Sequence, residues 1–221
     1  MKTLMSLTVV TAVVTAVATA SLLGATQAAP VPARPLKIVA LGDSLTSGRG
    51  VATAEAYPAV LQRMLRAEGL PFTMVNYGED SDTTAAALRR LPRALSEEPA
   101  ILIVALGAND GLRGVPIAQV RANLETIVET AQALTIPVLL CGMDALPVHG
   151  WQYTLDFHNI FPAVAAKYDV PLVPFLLDGV FANQAMLQPD FAHPNAAGAA
   201  QIARTIWPYL QPLAATLLSR Q

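Results

Sequence analysis

Short apolar runs alternate along the chain with longer segments in which apolar residues recur every three or four positions. The first pattern predicts buried strands, and the second predicts amphipathic helices. The predicted strands are Leu36–Leu41, Phe72–Tyr77, Ala100–Leu106, Pro137–Cys141 and Leu172–Phe175. The predicted helices are Pro58–Ala67, Thr83–Leu95, Ile117–Leu134, Trp151–Lys167 and a closing helix that Asn195 caps and that Pro208 and Pro212 bend or end.

This alternation of strands and helices predicts right-handed crossovers and a parallel sheet. The third strand is apolar almost without a break, which is typical of a parallel strand covered on both faces. We therefore expect an α/β fold, a three-layer α/β/α domain with a flavodoxin-like five-stranded parallel sheet of order 2-1-3-4-5. The loops after strands 1, 2 and 3 and the final loop would then open on the same edge of the sheet.

The N-terminal segment has the pattern of a secretory signal. Lys2 precedes a long apolar run, Leu4–Leu23, and small residues follow it. We assign residues 1–28 to a signal peptide, 29–35 to a proline-rich lead and 36–221 to one globular domain. An uncleaved membrane anchor is the alternative, because the run approaches the length of a membrane span. The signal predicts a secreted or periplasmic protein.

Composition narrows the function classes. The formal net charge of -2 gives no electrostatic basis for binding nucleic acid. Cys141 is the single cysteine and lies in a predicted strand, so we expect a buried, inert thiol and no disulfide within the chain. The histidines lack ligand partners at metal-binding spacing, and no glycine-rich phosphate loop is present. We therefore expect no metal and no cofactor.

Candidate chemistry begins where the first strand ends in a Gly-Asp-Ser turn, which places Ser44 just beyond the carboxyl end of that strand. Ester hydrolysis needs such a nucleophile, a base and a group that orients the base. Of the three histidines, His149 and His158 lie in or near a connection without other candidate groups. His193 follows Asp190 by three residues, a spacing that lets the carboxylate reach Nδ1 while Nε2 faces the serine.

Four short blocks resemble the SGNH (GDSL) hydrolase family through nearly all of the chain after the signal. They are Gly-Asp-Ser-Leu-Thr from Gly42, Asn-x-Gly from Asn76, Gly-x-Asn-Asp from Gly107 and Asp-x-x-His-Pro-Asn from Asp190. The segments Leu106–Gly114 and Val170–Gly179 are similar to the secreted bacterial branch called arylesterase, or thioesterase I/lysophospholipase. The Gly-x-Ser-x-Gly elbow is not met, which argues against the ordinary α/β-hydrolase fold.

The resemblance implies a role for each residue of these blocks. Ser44 would be the nucleophile, His193 the general base and then acid, and Asp190 the orienting carboxylate. The oxyanion donors would be the backbone N–H groups of Ser44 and Gly78 and the side-chain amide of Asn109. Loop capping is the alternative for Asn109.

Two further carboxylates belong to the same blocks. Asp43 precedes the nucleophile, and we expect it to hold the turn by accepting bonds from backbone N–H groups. We expect Asp110 to be structural.

The chain departs from the family pattern in two places. Where the family commonly has Val-Ser-Gly-Asp-Thr, this chain has Glu79–Thr83, so three carboxylates lie close to Gly78 and a glycine is missing. These carboxylates would oppose an oxyanion unless they face solvent, where screening makes them nearly harmless. Phe191–Ala192 stands where glycine and an aliphatic residue are common. We expect altered substrate choice, with disfavour toward anionic acyl groups, rather than lost activity.

The predicted function is a secreted serine esterase that cleaves carboxylic esters or thioesters with small-to-medium acyl chains through an acyl-enzyme. A lysophospholipase or a carbohydrate O-deacetylase is the alternative on the same scaffold. Two alternatives belong to other function classes. One is a catalytically silent binding domain. The other is a flavodoxin-like or receiver-type module, which would leave the four blocks unexplained. The expected partner is a small-molecule or lipid-derived ester. Transient contact with membrane lipid is left as an open alternative.

The residues expected to line the substrate site are mostly apolar, which favours an acyl chain over a sugar. They are Leu112, Val115, Pro116, Ile117, Leu146, Pro147 and Phe191.

Overall fold

A parallel sheet of five strands, in the order β2-β1-β3-β4-β5, forms the centre of the protein. The computed structural model describes residues 36–219, so the predicted signal peptide and proline-rich lead lie outside the described residues. The strands are β1 (Leu36–Gly42), β2 (Phe72–Gly78), β3 (Pro99–Ala105), β4 (Val138–Cys141) and β5 (Leu172–Val173). The predicted fold class and strand order are confirmed, and all five strands lie within about two residues of their predicted bounds.

Helices connect and cover the strands. They are α1 (Ser44–Ser47), α2 (Tyr57–Ala67), α3 (Thr84–Leu95), α4 (Ala108–Arg113), α5 (Ile117–Ala133), α6 (Trp151–His158), α7 (Ile160–Tyr168) and α8 (Ala196–Ser219), with 3₁₀ turns at Pro147–His149 and Gln184–Met186. The sequence did not predict α1 and α4, because helices of four and six residues are too short to show a helical period. Both begin within three residues of a strand end, at the predicted site.

The structure corrects two expectations about where helices end. The single helix expected over Trp151–Lys167 is divided at Asn159, because Pro162 has no N–H for the bond to the carbonyl four residues earlier. Conversely, α8 continues through Pro208 and Pro212 to Ser219, so neither proline ends it.

Burial explains why α8 survives its prolines. Its inner face, which includes Ile202, Ile206 and Leu210, is fully buried, and this packing outweighs the missing helical hydrogen bonds. Asn195 caps the helix as predicted, because its Oδ1 accepts a hydrogen bond from the Gly198 N–H at 3.0 Å.

The register of the central strands determines where the site lies. Gly42 at the end of β1 pairs with Gly78 on β2 and with Ala105 on β3, so the three strands end level with one another. The core strands are covered on both faces, and Ile101–Ala105 are almost completely buried. Cys141 is also buried, and burial raises the pKa of its thiol. Within residues 36–219, the helices are too short or too polar to cross a membrane.

Candidate active site

The turn after β1 is built around Ser44, the first residue of α1. Asp43 caps this short helix, because its Oδ1 accepts a hydrogen bond from the Leu45 N–H at 3.0 Å. Gly42 lets the chain turn sharply, since a Cβ atom there would lie 1.9 Å from Thr46 Oγ1. Ser44 is mostly buried, at 8% exposure, which limits the directions from which a substrate can reach its hydroxyl.

A continuous chain of hydrogen bonds joins three side chains across 149 positions of the sequence. His193 Nε2 lies 3.0 Å from Ser44 Oγ, and His193 Nδ1 lies 2.7 Å from Asp190 Oδ2. The other oxygen, Asp190 Oδ1, accepts from the backbone N–H groups of His193 and Ala192, each at 3.0 Å. The N–H of His193, its imidazole and the N–H of Ala192 together hold the pKa of Asp190 well below its usual range. An ionised carboxylate therefore faces the imidazole at neutral pH.

Gln188 fixes the loop that carries His193. Its backbone N–H donates to the His193 carbonyl at 2.8 Å, and its side-chain amide donates to the carbonyls of Pro194 at 2.8 Å and Arg49 at 2.7 Å. The loop is thereby tied to the chain that follows α1. Sequence reasoning did not find Gln188, because a glutamine in a loop carries no pattern that points to a partner 139 residues away.

Gly78 has a different environment from the one expected of an oxyanion donor. Its N–H already donates to Asn76 Oδ1 at 2.8 Å, and the Asn76 amide in turn donates to the Thr46 carbonyl at 2.8 Å. A Cβ atom at Gly78 would lie 2.0 Å from the backbone nitrogen of Ser47. Glycine is therefore required here for the close approach of β2 to α1, whereas its N–H is engaged.

Asn109 lies near the start of α4, beyond the end of β3. Its Nδ2 donates one hydrogen bond to the Asp82 carbonyl at 2.9 Å, which leaves the second N–H of the amide for another acceptor. The residue before Asp82 is Ser81, which occupies the glycine position of the family pattern and has a left-handed φ of 65°. The loop thus keeps a glycine-like conformation without a glycine.

The acidic loop after β2 does not present three free carboxylates. Asp82 is buried at 8% side-chain exposure and forms an ion pair with Arg90. Asp80 accepts a hydrogen bond from the Ser47 hydroxyl at 2.6 Å. Glu79 and Asp80 are exposed to solvent, so only Asp82 of the three acidic residues is buried. The repulsion between these carboxylates and an oxyanion, predicted from the sequence, is therefore reduced by ion pairing and hydrogen bonding as well as by solvent.

Two buried carboxyl groups lie beneath the site. Asp110 accepts bonds from the hydroxyl and the N–H of Thr84, at 2.7 and 2.9 Å, and burial raises its pKa. Asp43 holds the turn as predicted, but its second oxygen is buried without a partner among the described residues. Burial, with the nearby charges of Asp82 and Asp110, raises the pKa of Asp43 to about 7.

The predicted lining residues fall into two groups. Leu112, Leu146 and Phe191 are exposed apolar side chains, at 56%, 42% and 66% exposure. The other four predicted lining residues differ from one another in exposure and in what they pack against. Pro116 and Pro147 are exposed, Val115 packs against the core, and Ile117 lines an open cleft formed by its own helix with Arg121 and Glu125.

The other two histidines are bonded outside the catalytic chain. His149 Nε2 lies 3.0 Å from the Leu112 carbonyl, and His158 Nδ1 lies 2.8 Å from Asp144 Oδ1. Among residues 36–219, His, Cys, Asp and Glu side chains form no group of three suited to a metal ion.

Comparisons with known proteins give a consistent result. The model of the GDSL-like lipase/acylhydrolase family matches residues 40–201. Over 177 residues the chain is 40% identical to esterase TesA of Pseudomonas aeruginosa, covering 80% of this chain and 88% of the relative. It is 33% identical to thioesterase 1/protease 1/lysophospholipase L1 of Escherichia coli K12, covering 80% and 84%. The crystal structure of TesA aligns with a TM-score of 0.77 at 39% identity, covering 80% of this chain and 99% of that one.

Proposed function

Because this chain belongs to the GDSL-like lipase/acylhydrolase family and is an ester-bond hydrolase, we propose that it forms an acyl-enzyme on Ser44. Its substrates are carboxylic esters and thioesters with small-to-medium acyl chains. The observation that carries the proposal is the unbroken chain of contacts from Asp190 through His193 to the Ser44 hydroxyl. No other histidine among the described residues contacts a serine side chain.

Each step of the reaction has a group in place. His193 Nε2 accepts the proton of Ser44 Oγ as that oxygen attacks the ester carbonyl, and the ionised Asp190 stabilises the imidazolium that results. The same proton then goes to the leaving alcohol or thiol as the bond to the acyl carbon breaks. In the second half of the reaction His193 takes a proton from water as the water attacks the acyl-enzyme. It then returns this proton to Ser44 Oγ as the bond from that oxygen to the acyl carbon breaks and the acid is released.

The oxyanion of both tetrahedral intermediates needs hydrogen-bond donors. The Ser44 N–H and the second N–H of the Asn109 amide fill this role, since neither donates to another group among residues 36–219. The expected third donor, the Gly78 N–H, would first have to leave Asn76. The N–H of Ser81 is the alternative third donor, because it too is unused in the described part of the chain and lies beside the residue that binds Asn109.

The exposed apolar side chains favour an acyl chain as the part of the substrate that the site binds. Leu112, which lies on α4 with Asn109, and Leu146 expose apolar side chains, whereas a sugar would need more aromatic and polar contacts. The same exposed surface favours a lysophospholipid as the second candidate substrate, and a carbohydrate ester is disfavoured. We also propose a secreted or periplasmic location, which rests on the signal-like segment 1–28 alone.

The test is a series of p-nitrophenyl esters and acyl-CoA thioesters of increasing chain length, with lysophosphatidylcholine in parallel. Ser44→Ala should lower kcat/KM at least about 1000-fold, because the nucleophile is lost. Ser96→Ala, which removes an exposed hydroxyl on the surface, is the matched control and should retain full activity. Turnover that persists in Ser44→Ala would exclude the proposed nucleophile. An unmodified protein that binds these esters without cleaving them would favour the silent binding domain.

A further inference from the structure

Arg90 contacts three separate segments of the site although it lies on α3, away from the reacting groups. Its Nε donates to Asp82 Oδ2 at 2.7 Å, its Nη1 to the Tyr77 carbonyl at 3.0 Å and its Nη2 to the Gly42 carbonyl at 3.0 Å. All three nitrogens of the guanidinium are therefore in use. The side chain is 24% exposed, so these bonds are partly shielded from water.

The three acceptors belong to the segments that must be correctly spaced for the reaction. Gly42 is the last residue of β1 and is separated from Ser44 only by Asp43. Tyr77 precedes the last residue of β2, which packs against α1. Asp82 belongs to the following loop, and its carbonyl oxygen accepts the hydrogen bond from Asn109.

These bonds form a path from one oxyanion donor to the nucleophile. The Asn109 amide is held by the backbone of Asp82, the carboxylate of Asp82 is held by Arg90, and Arg90 holds the end of β1 next to Ser44. An amide nitrogen is planar, so when one N–H is fixed on Asp82 the direction of the other is fixed as well. The planar guanidinium supplies three donors in a rigid arrangement, which a single ammonium cannot do.

We propose that Arg90 is a positioning residue that sets the distance between the Ser44 hydroxyl and the oxyanion-binding amide of Asn109. The inference rests on the proposed function, because it concerns how that site is held in shape. Arg90 touches neither the substrate nor the reacting atoms. Its loss should therefore weaken interactions made in the transition state while the binding of substrate stays nearly the same.

Arg90→Gln and Arg90→Lys, compared with Arg89→Gln, test this role. Arg89 is the adjacent residue and is exposed, and among residues 36–219 it donates only within its own helix, to the Ala85 carbonyl. A small displacement of a catalytic group costs up to about 100-fold in rate, so Arg90→Gln should lower kcat at least about 10-fold with KM within about twofold. Arg90→Lys should recover only part of this loss, and Arg89→Gln should equal the unmodified enzyme.

A phosphonate ester that reacts with Ser44 gives a second measurement of the same geometry. Its adduct is tetrahedral at phosphorus and has a strongly polarised phosphoryl oxygen in the place of the oxyanion of ester hydrolysis, so it needs the same donors. The rate constant of inactivation should fall in Arg90→Gln by a factor similar to the fall in kcat. A variant that folds with normal kcat, or one that reacts with the phosphonate at the normal rate, would overturn the proposal.

The double variant Asp82→Asn/Arg90→Gln separates positioning from simple charge pairing. Removing Arg90 alone leaves the buried Asp82 carboxylate without its partner, which can destabilise the fold. The double variant removes that charge, so its melting temperature should return toward that of the unmodified protein while kcat stays low, because the Gly42 and Tyr77 carbonyls still lack their donor. Recovery of kcat would show that Arg90 only offsets a charge. Failure of the proposed function is distinct, since the unmodified protein would then turn over none of the esters.

Discussion

At the scale of single residues, two non-glycine residues at the site adopt a left-handed backbone conformation that favours glycine. Ser81 and Phe191 have φ values of 65° and 56°, and both lie in loops that hold the site. Of the four other non-glycine residues with positive φ in the described part of the chain, Ala182 lies in a turn, and Glu98, Thr135 and Asp169 lie just after helices, where a left-handed residue is a common ending. Ser81 and Phe191 have no such explanation, and residues strained in this way often cluster at functional sites.

Phe191 allows the cost of this conformation to be measured. Phe191→Gly and Phe191→Ala both remove the ring, but only glycine tolerates the left-handed backbone. We expect Phe191→Gly to be more stable than Phe191→Ala by about 1 kcal/mol in denaturant unfolding. Both variants should show the same change in ester selectivity relative to the unmodified enzyme, because the ring is absent from each. Equal stability would mean that the backbone carries no strain at this position.

At the scale of secondary-structure elements, the site depends on how closely β2 approaches α1. Three features determine this approach. The Asn76 amide donates to the Thr46 carbonyl, the Gly78 N–H donates to Asn76 Oδ1, and Gly78 has no side chain that would meet α1. The nucleophile is the first residue of α1, so any displacement of this helix moves Ser44 relative to His193.

Gly78→Ala would test this contact directly. The new methyl group would meet the backbone of Ser47 at 2.0 Å, and backbone cannot yield as a flexible side chain can. We expect a loss of about 1–3 kcal/mol in stability and a fall in kcat/KM of at least about 10-fold. Alanine keeps the N–H, so the fall would result from displacement of α1.

Gly69→Ala is the control for this variant. Gly69 lies three residues before β2, at the opposite end of the strand from Gly78, and has a φ of 68°. Its Cβ position is open, with nothing within 4 Å. This substitution should cost stability through backbone strain while kcat/KM stays normal. If Gly78→Ala behaved in the same way, the approach of β2 to α1 would not be tight enough to position the nucleophile.

At the scale of the whole molecule, buried carboxyl groups under the sheet edge make folding depend on pH. Asp43 has a pKa of about 7 in the folded protein, whereas an aspartate in an unfolded chain has a pKa of about 3.9. Folding therefore takes up a proton between these values, and stability falls as the pH rises from about 4 to about 7. Asp110 acts in the same direction. Asp190, with its lowered pKa, instead stabilises the fold at higher pH and loses this contribution on acidification below about pH 4.

Asp43→Asn should remove the largest part of this dependence. The amide stays neutral, so the variant's free energy of unfolding should depend less on pH between pH 4 and 8. At pH 8 it should exceed that of the unmodified protein by about 2–4 kcal/mol. Urea unfolding at several pH values measures this, with the exposed Asp178→Asn as control. Parallel curves for Asp43→Asn and the unmodified protein would show that Asp43 is ionised in the fold at pH 4 as well as at pH 8.

Sequence patterns were sufficient for the sheet and for the residues that meet at its edge. Apolar runs identified the five strands, because burial on both faces leaves a strong local signal. Their alternation with helices indicated the fold class, and the strand order followed from that class. The short blocks pointed to Ser44, Asn109, Asp190 and His193, because a family pattern preserves residue type as well as spacing. Helices of four and six residues are too short to show a helical period, and the break at Asn159 follows from Pro162, whose effect the apolar periodicity does not show. The persistence of α8 through two prolines was not predictable, since tertiary packing decides it.

Only the tertiary structure decided which polar groups of the site pair with one another. From the sequence, three carboxylates lay close to the Gly78 N–H and none of these groups had an assigned partner, because local patterns contain no information about distant partners. Folding brings Arg90 to Asp82 and Asn76 to Gly78, so a charge is neutralised and an expected donor is engaged. A buried polar group is costly without a partner, and its partner can come from any part of the chain that the fold brings near.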